Sequence, residues 1–211
     1  MADLILYTNP MSRGQIARWM LEEVGAPYET ILLDYGTTMK APDYLTINPM
    51  GKVPAVRHGS TIVTEGAAIC AYLADAFPHA GLAPAPGSVE RGSYYRWLFF
   101  GAGPVEMAVT NHYNKWDPTA EQQAMVGYGS YDRVLDVLEQ LVARGPYLLG
   151  ERFSAVDVYT GSQIIWGTQF GTMEKRPGFE EYVALVTARE AYQRAKATDA
   201  RLIAEAQGRT P

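Results

Sequence analysis

The stretch NPMGKVPAV, residues 48–56, places two prolines and a glycine directly before a strand-like segment. Proline lacks a backbone N–H and is normally excluded from the middle of a sheet, yet Pro54 precedes the alternating run at residues 55–58. One interpretation is that Pro54 ends a loop before an edge strand. The other is that Val53 pairs through its backbone with a molecule that is not part of the protein.

The segments on both sides of this stretch predict a small α/β unit. Their hydrophobic patterns indicate strands at residues 4–7, 28–33, 53–56 and 61–63, and helices at residues 12–24 and 65–77. Only the turn at residues 58–60 separates the last two strands, so they predict a hairpin. The order strand, helix, strand, hairpin and helix is typical of a four-stranded sheet covered by helices.

The second half of the chain is expected to be all-α. The run PHAGLAPAPGS, residues 78–88, is rich in proline, glycine and alanine and is typical of a linker. Helices are predicted at residues 88–116, 120–143, 154–170 and 178–206, with a kink at Pro104. The predicted domains are therefore residues 1–77 (α/β) and 89–211 (all-α), joined by the linker 78–88.

Composition narrows the possible environments and partners. The 211 residues are 47% hydrophobic and 19% charged, which is the balance of a globular protein. A net charge of −5 argues against nucleic acid or an anionic membrane as a partner. The single cysteine, Cys70, excludes an internal disulfide and favours a reducing compartment, so we expect a cytoplasmic location. No secretory signal or bilayer-spanning run is visible in the sequence.

Four segments resemble the family of cytosolic glutathione transferases, and specifically its bacterial, serine-type members. They are YTNPMSRGQIARWMLEEVG, NPMGKVPAV, TEGAAICAYLAD and GERFSAVDVY, and they occur in the expected order over essentially the whole chain. The resemblance implies a thioredoxin-like N-terminal domain, an all-helical C-terminal domain and a homodimer with a role in detoxification. It also implies a glutathione site on the first domain and an electrophile site between the two.

The resemblance assigns the backbone of glutathione to residues 48–56. In the family, the proline that matches Pro54 follows a cis peptide bond. The resulting turn directs the N–H and C=O of Val53 toward the cysteinyl part of glutathione, as in strand addition. Lys40 and Lys52 are candidates for the glycyl carboxylate, although either is equally consistent with a solvated surface lysine.

The other end of glutathione is assigned to the start of the helix that follows Thr64. The γ-glutamyl carboxylate is expected at the N–H of Gly66, because helix starts offer unpaired N–H groups to anions. Glu65 is expected to accept from the γ-glutamyl amine, or else to be a first-turn acid favoured by the helix dipole. The family usually has serine where this chain has Gly66, so one hydroxyl is missing here.

The candidate catalytic residue is Ser12, with Tyr7 in reserve. The thiolate of glutathione is the nucleophile, and a free thiol has a pKa of about 8.5, so a hydrogen-bond donor beside the sulfur assists ionisation. Ser12 has a competing structural role, because Ser12 and Gln15 fit a capping box. The spacing from Ser12 to Gly25 is also about one residue shorter than in the serine classes. For this reason Tyr7, at the end of the first strand, is the alternative.

The electrophile is expected to meet large apolar side chains at the boundary of the two domains. The candidates for direct contact are Met11, Met107, Tyr113 and Trp116, taken from a wider set that includes Tyr94, Trp97 and Phe100. Such stripes more often belong to a core or an interface. The three histidines are dispersed, so no metal is predicted. Cys70 is expected to be buried and structural, and Ser154 with Asp157 is expected to form a capping box.

These features predict a glutathione transferase that activates the glutathione thiolate for attack on small hydrophobic electrophiles. Glutathione is the co-substrate, and no bound cofactor is required. Peroxidase or isomerase activity with glutathione is a related alternative. A binding or interaction module without turnover is an alternative from a different class, which the missing serine at Gly66 and the short spacing after Ser12 keep open.

Overall fold

The structure is a computed structural model, and it describes residues 3–208. Contacts within the chain divide it into two compact units. One contains the residues up to Gly81 together with those from Arg189 onward, and the other contains residues 82–188. Among the described residues, none of the helices combines the length and the apolar character needed to cross a bilayer.

The first unit is built around a mixed four-stranded sheet. Its strands are β1 (Leu4–Thr8), β2 (Tyr28–Leu32), β3 (Ala55–His58) and β4 (Thr61–Thr64), in the order β2-β1-β3-β4. Strand β1 runs parallel to β2 and antiparallel to β3, and β3 pairs with β4 as the predicted hairpin. All five residues of β1 are buried, because this strand lies inside the sheet.

Three helices lie between and after the strands in the N-terminal part of the chain. They are α1 (Gly14–Val24), the single turn α2 (Pro42–Leu45) and α3 (Gly66–Ala76). The strongly amphipathic α1 buries Ile16, Trp19 and Met20 on one face and ends at Gly25, whose φ of 68° lies in the left-handed region that glycine tolerates. The predicted thioredoxin-like arrangement is confirmed.

The second unit is helical throughout its regular elements. The helices are α4 (Glu90–Phe100), α5 (Glu106–Tyr113), α6 (Tyr131–Val142), α7 (Ala155–Phe170) and α8 (Pro177–Thr187). A π-helical segment, Gly101–Val105, joins α4 to α5 and contains Pro104, at the position of the predicted kink. The helix predicted from residue 120 was wrong at its start, because Ser130 caps α6 through a hydrogen bond from the Arg133 N–H.

The capping box predicted at Ser154 and Asp157 is confirmed. The Asp157 carboxylate accepts from the Ser154 N–H at 2.9 Å, and the Ser154 hydroxyl accepts from the Val156 N–H at 3.2 Å. Asp157 also accepts from the Leu148 N–H and from the Tyr182 hydroxyl. This fully buried carboxylate therefore connects the start of α7 to the preceding loop at Leu148 and to α8 at Tyr182.

The last helix, α9 (Glu190–Ala206), belongs to the first unit, where it packs against α1. The single helix predicted at residues 178–206 was therefore wrong. The chain breaks at Arg189, whose guanidinium makes two hydrogen bonds of 2.7 Å to the carboxylate of Glu23. The domain boundaries at residues 77 and 89 stay a prediction, to which the structure adds the return of α9 to the first unit.

Candidate functional site

Three chain segments meet at one end of the sheet in the first unit. The register pairs Tyr7 of β1 with Ala55 of β3, and Ala55 with Thr64 of β4. Strand β1 therefore ends, β3 begins and β4 ends at the same end of the sheet. The segments that lie just beyond these pairs are residues 9–12, 53–54 and 65–66. The sheet thus brings together most of the residues that the sequence assigned to glutathione.

The turn before β3 explains the residue types at positions 48–54. The Asn48 side chain accepts from the Met50 N–H at 3.1 Å, as in an Asx-turn, and the Asn48 carbonyl accepts from the Gly51 N–H at 2.8 Å. Gly51 has a φ of 57°, and a Cβ there would lie 3.0 Å from the Met39 carbonyl oxygen. Glycine is therefore required at this position. The peptide bond between Val53 and Pro54 is cis.

The two candidate lysines lie in different surroundings. The Lys40 ammonium donates to the Gly51 carbonyl at 2.7 Å and is 3.4 Å from the Met50 carbonyl, so its charge lies against the turn before β3. Lys52 follows that turn and is exposed. Both lysines therefore place positive charge close to Val53 in the sequence or in space, which is compatible with a carboxylate ligand.

Glu65 has an unusual backbone conformation at the start of α3. Its φ is 65° and its ψ is 118°, a combination that residues with a side chain rarely adopt. Backbone strain of this kind costs about 1–3 kcal/mol and is concentrated at functional sites. The Glu65 side chain is exposed and makes no cap of its own helix. The carboxylate is therefore available to a ligand amine beside the helix start at Gly66.

Ser12 lies in the loop between β1 and α1 and is half-buried. Its hydroxyl donates to the Asn9 carbonyl at 2.6 Å and accepts from the Gly14 N–H at 2.9 Å. The capping box with Gln15 was wrong, because the Ser12 N–H donates to the Asn9 carbonyl at 3.1 Å and the Gln15 side-chain oxygen accepts from Lys196 at 3.0 Å instead. The hydroxyl thus receives the N–H of the first residue of α1, which polarises it as a donor.

Tyr7, the alternative catalytic residue, packs inside the first unit. Tyr7 is 6% exposed and belongs to a buried cluster with Ile5, Met39 and Tyr44. The centroids of the Tyr7 and Tyr44 rings are 5.8 Å apart. Tyr7 is therefore a core aromatic that also lies near the end of the sheet where the candidate site is found.

Several residues that support these loops were not found from the sequence. The Asn9 amide donates to the Leu33 carbonyl at 2.9 Å, and its side-chain oxygen accepts from the Met11 N–H at 3.0 Å. The exposed Tyr35 donates its hydroxyl hydrogen to the Met11 carbonyl at 3.2 Å. The available signal was the Asn-Pro pair at Asn9, which favours a turn that the asparagine side chain stabilises.

The candidate electrophile residues belong to different units. Met11, in the first unit, is 63% exposed. Met107 and Tyr113, in α5, and Trp116, just beyond it, are 47%, 68% and 67% exposed in the second unit. Each unit therefore presents large apolar side chains to a possible ligand. Their joint role in one pocket stays a prediction.

Two further observations limit the chemistry of the described residues. Cys70 is fully buried, and burial raises the pKa of its thiol. The thiolate needed for redox chemistry is therefore disfavoured at this cysteine. Within residues 3–208, no group of three or more histidine, cysteine, aspartate or glutamate side chains is arranged to hold a metal ion.

Comparison with known proteins agrees with this geometry. The sequence model described as "Glutathione S-transferase, N-terminal domain" matches residues 2–75. The disulfide-bond oxidoreductase YfcG of Escherichia coli is 30% identical over 72% of this chain and 75% of its own. A glutathione transferase structure from Methylococcus capsulatus is 30% identical, has a TM-score of 0.76 and covers 93% of this chain and 98% of its own.

A second solved structure shows a ligand. The glutathione transferase homologue from Sulfitobacter, solved with bound glutathione, is 28% identical, with a TM-score of 0.76 over 94% of this chain and 99% of its own. The fold is that of a protein with a thioredoxin-like unit and a second, helical unit. The chain belongs to the glutathione S-transferase family, and it is an enzyme of the glutathione transferase type.

Proposed function

We propose that this protein binds glutathione at the end of the sheet that β1, β3 and β4 share, and that it activates the thiol for attack on small hydrophobic electrophiles. The observation that carries the proposal is the convergence of Ser12, Val53 and Glu65 through the register of the sheet. In this proposal Val53 pairs with the cysteinyl backbone, and Glu65 with Gly66 receives the γ-glutamyl end. Lys40 and Lys52 attract the glycyl carboxylate.

Ser12 then stabilises the glutathione thiolate. Its hydroxyl has one hydrogen, which the Asn9 carbonyl accepts in the structure. When the thiolate is present, rotation about the Cβ–Oγ bond transfers this hydrogen bond to sulfur, while Oγ continues to accept from the Gly14 N–H. The thiol proton leaves to solvent. The sulfur then forms a bond to the electrophilic carbon, and the leaving group departs with its electron pair.

Met11, Met107, Tyr113 and Trp116 are proposed to contact the electrophile, and a homodimer in the cytoplasm with a detoxification role is the proposed biological setting. The support for these contacts is the high exposure of the four apolar side chains. Large apolar groups exposed in a monomer commonly mark ligand or partner surfaces.

The proposed function is tested by Ser12→Ala, in an assay that conjugates glutathione to an aromatic halide. We expect turnover at neutral pH to fall and the rising limb of the pH–rate profile to move to higher pH, because the thiolate loses its donor. Ultraviolet titration of the bound thiolate should show a raised apparent pKa. The apparent glutathione affinity should change much less.

Tyr7→Phe is tested in the same assay, because Tyr7 is the alternative donor. Ser12→Ala is also expected to lose about 0.5–2 kcal/mol of stability, because the Gly14 N–H loses its acceptor. A stability loss with an unchanged thiol pKa would make Ser12 a structural residue only. If the thiol pKa moved in Tyr7→Phe instead, Tyr7 would be the donor.

Disulfide reduction with glutathione is the second candidate function, supported by the relationship to the Escherichia coli disulfide-bond oxidoreductase. Because Cys70 is buried, we propose that two glutathione molecules supply both electrons. They would be oxidised to glutathione disulfide, while the substrate disulfide is reduced to two thiols. Reduction of a small organic disulfide by the purified protein, with no conjugation of the aromatic halide, would favour this function.

A further inference from the structure

The carbonyl of Lys52 accepts two hydrogen bonds from buried side chains. The Tyr44 hydroxyl donates at 2.6 Å and the Asn48 amide at 2.8 Å. Both donors are 4% exposed, so water does not compete for them. Two buried donors on one carbonyl oxygen use both of its lone pairs and fix the direction of the C=O bond.

The direction of this carbonyl also determines the direction of the Val53 N–H. The Lys52 C=O and the Val53 N–H belong to the same peptide group, which is planar. This peptide bond is trans, since the cis bond lies one residue later. In a trans peptide the C=O and N–H bonds point in opposite directions. While the carbonyl is held toward Tyr44 and Asn48, the N–H is therefore held away from them.

The Val53 N–H has no hydrogen-bond acceptor in the described part of the chain, and the Val53 side chain packs against the buried cluster that contains Tyr44. A half-buried residue with an unpaired N–H is suited to a ligand that brings its own carbonyl. We propose that Tyr44 and Asn48 are positioning residues, which hold the Lys52 carbonyl so that the Val53 N–H is directed at the cysteinyl carbonyl of glutathione. This inference rests on the proposed glutathione site.

The two donors are themselves fixed before a ligand arrives. The Tyr44 ring packs in the buried cluster with Tyr7, and burial raises the pKa of Tyr44 to about 12, so the phenol keeps its hydrogen at working pH. The Asn48 side chain is oriented by the Met50 N–H at its other end. Glutathione would therefore meet a preorganised N–H, and little ordering cost would be subtracted from its affinity.

Tyr44→Phe tests the inference because it removes one hydroxyl and keeps the ring. Binding of glutathione alone is measured by calorimetry, and the KM for glutathione, the KM for an aromatic halide and kcat are measured by conjugation. We expect the glutathione Kd and KM to rise about three- to ten-fold, as the loss of one hydrogen bond predicts. The aromatic halide KM and kcat at saturating glutathione should change less than about twofold.

Tyr28→Phe is the matched control in the same unit. The Tyr28 hydroxyl donates to Glu22 and accepts from Arg18, and burial raises the pKa of Tyr28 to about 12 as well. Both variants should lose similar stability in urea, but only Tyr44→Phe should lose glutathione affinity. A second test variant, Asn48→Asp, keeps the acceptor for Met50 and removes the amide donor, and it should weaken glutathione binding at least as much.

Four results would separate the possibilities. Weaker glutathione binding in Tyr44→Phe and Asn48→Asp but not in Tyr28→Phe supports the inference. Normal binding in Tyr44→Phe, with a parent protein that binds glutathione, overturns the inference and leaves the proposed function intact. If Tyr44→Phe lowered kcat and stability and raised both KM values together, the inference would also be overturned, since this would indicate a structural role alone. A parent protein that does not bind glutathione overturns both proposals.

Discussion

Arg18 of α1 and Asp199 of α9 form a buried ion pair within the first unit, although 181 residues separate them in the sequence. Arg18 Nε donates to Asp199 Oδ1 at 2.8 Å, and the two side chains are 1% and 2% exposed. Arg18 Nη1 also donates to the Tyr28 hydroxyl and to Thr30 Oγ1, each at 3.2 Å. One guanidinium thereby joins α1, β2 and α9.

Asp199→Ala should destabilise the protein strongly. The substitution leaves the Arg18 charge buried without its carboxylate, which typically costs about 3–5 kcal/mol. Urea unfolding of both proteins at pH 7 measures the difference. Glu205→Ala is the matched control on α9, because it breaks the exposed ion pair with Arg201 and should cost no more than about 1 kcal/mol. Equal effects of the two substitutions would contradict the importance of burial.

Gly14→Ala should disturb the loop that carries Ser12. A Cβ at Gly14 would overlap the hydroxyl of the fully buried Thr8, the last residue of β1. Relief of the overlap requires the buried Thr8 side chain to rotate or α1 to shift, and we expect a loss of about 1–3 kcal/mol in urea unfolding. Gly36→Ala, at an open position in the same unit, should change stability by less than about 1 kcal/mol. A stable Gly14→Ala variant would show that the contact adjusts freely.

Asp157 should make stability depend on pH in a direction opposite to that of most acids. Burial raises its pKa to about 6 from an ordinary value of 3.8, although several hydrogen bonds favour the charged form. Between about pH 4 and 6 the folded protein holds a proton that the unfolded chain has released. The contribution of Asp157 to the free energy of unfolding therefore falls as pH rises through this window.

Asp157→Asn isolates this effect because asparagine does not titrate. The variant should be less stable at all pH values, since its amide hydrogens face the N–H groups that the carboxylate accepts. The stability difference between parent and variant should shrink by about 2–3 kcal/mol from pH 4 to pH 7. Urea unfolding at both pH values measures it. A difference that grows with pH would mean that the hydrogen bonds outweigh burial.

Glu65 should show a trade-off between the stability of the fold and the affinity for glutathione. Glu65→Gly relieves the strain of a φ of 65° and should raise the free energy of unfolding by about 1 kcal/mol, while glutathione binding weakens. Glu65→Gln keeps the strain and removes only the charge. Loss of a charged hydrogen bond of about 1.5–3 kcal/mol should raise the glutathione Kd about ten- to a hundred-fold in both variants.

Calorimetry with glutathione and urea unfolding test the two halves of this prediction separately. Glu205→Gln, which removes an exposed charge on α9 in the same unit, should leave both quantities unchanged. Unaltered glutathione affinity in Glu65→Gln would leave Glu65 as a first-turn acid without a role in binding. A less stable Glu65→Gly variant would show that the backbone is not strained there.

The regular elements of the first unit were predictable because their signals are local. The apolar spacing of α1 and the short turn between β3 and β4 each lie within one segment of sequence. The register of the sheet then places Ser12, Val53 and Glu65 just beyond the same end of the sheet. The break at Arg189 was not predictable, because neither proline nor glycine marks it. At the break Arg189 has an extended backbone and pairs with Glu23, 166 residues away in the sequence, which no local pattern reveals.

The supporting contacts of the site were also beyond sequence reasoning. Tyr44 in isolation is an aromatic residue of a short helix, and its hydroxyl acquires a role only when residue 52 lies next to it in the fold. Likewise, the Ser12 to Gln15 pattern fits a capping box. However, the loop gives the Ser12 N–H the Asn9 carbonyl as its acceptor, and the Gln15 side-chain oxygen accepts from Lys196, which lies 181 residues away in the sequence.

The return of α9 to α1 has a consequence for synthesis. The ribosome releases Arg18 early, but Asp199 emerges only after all of residues 82–188 have been made. Until then the nascent first unit carries a guanidinium whose carboxylate does not yet exist. The second unit is in effect an insertion between the two parts of the first. A chain released prematurely would therefore keep an incomplete α/β unit, even if its helical unit had already folded.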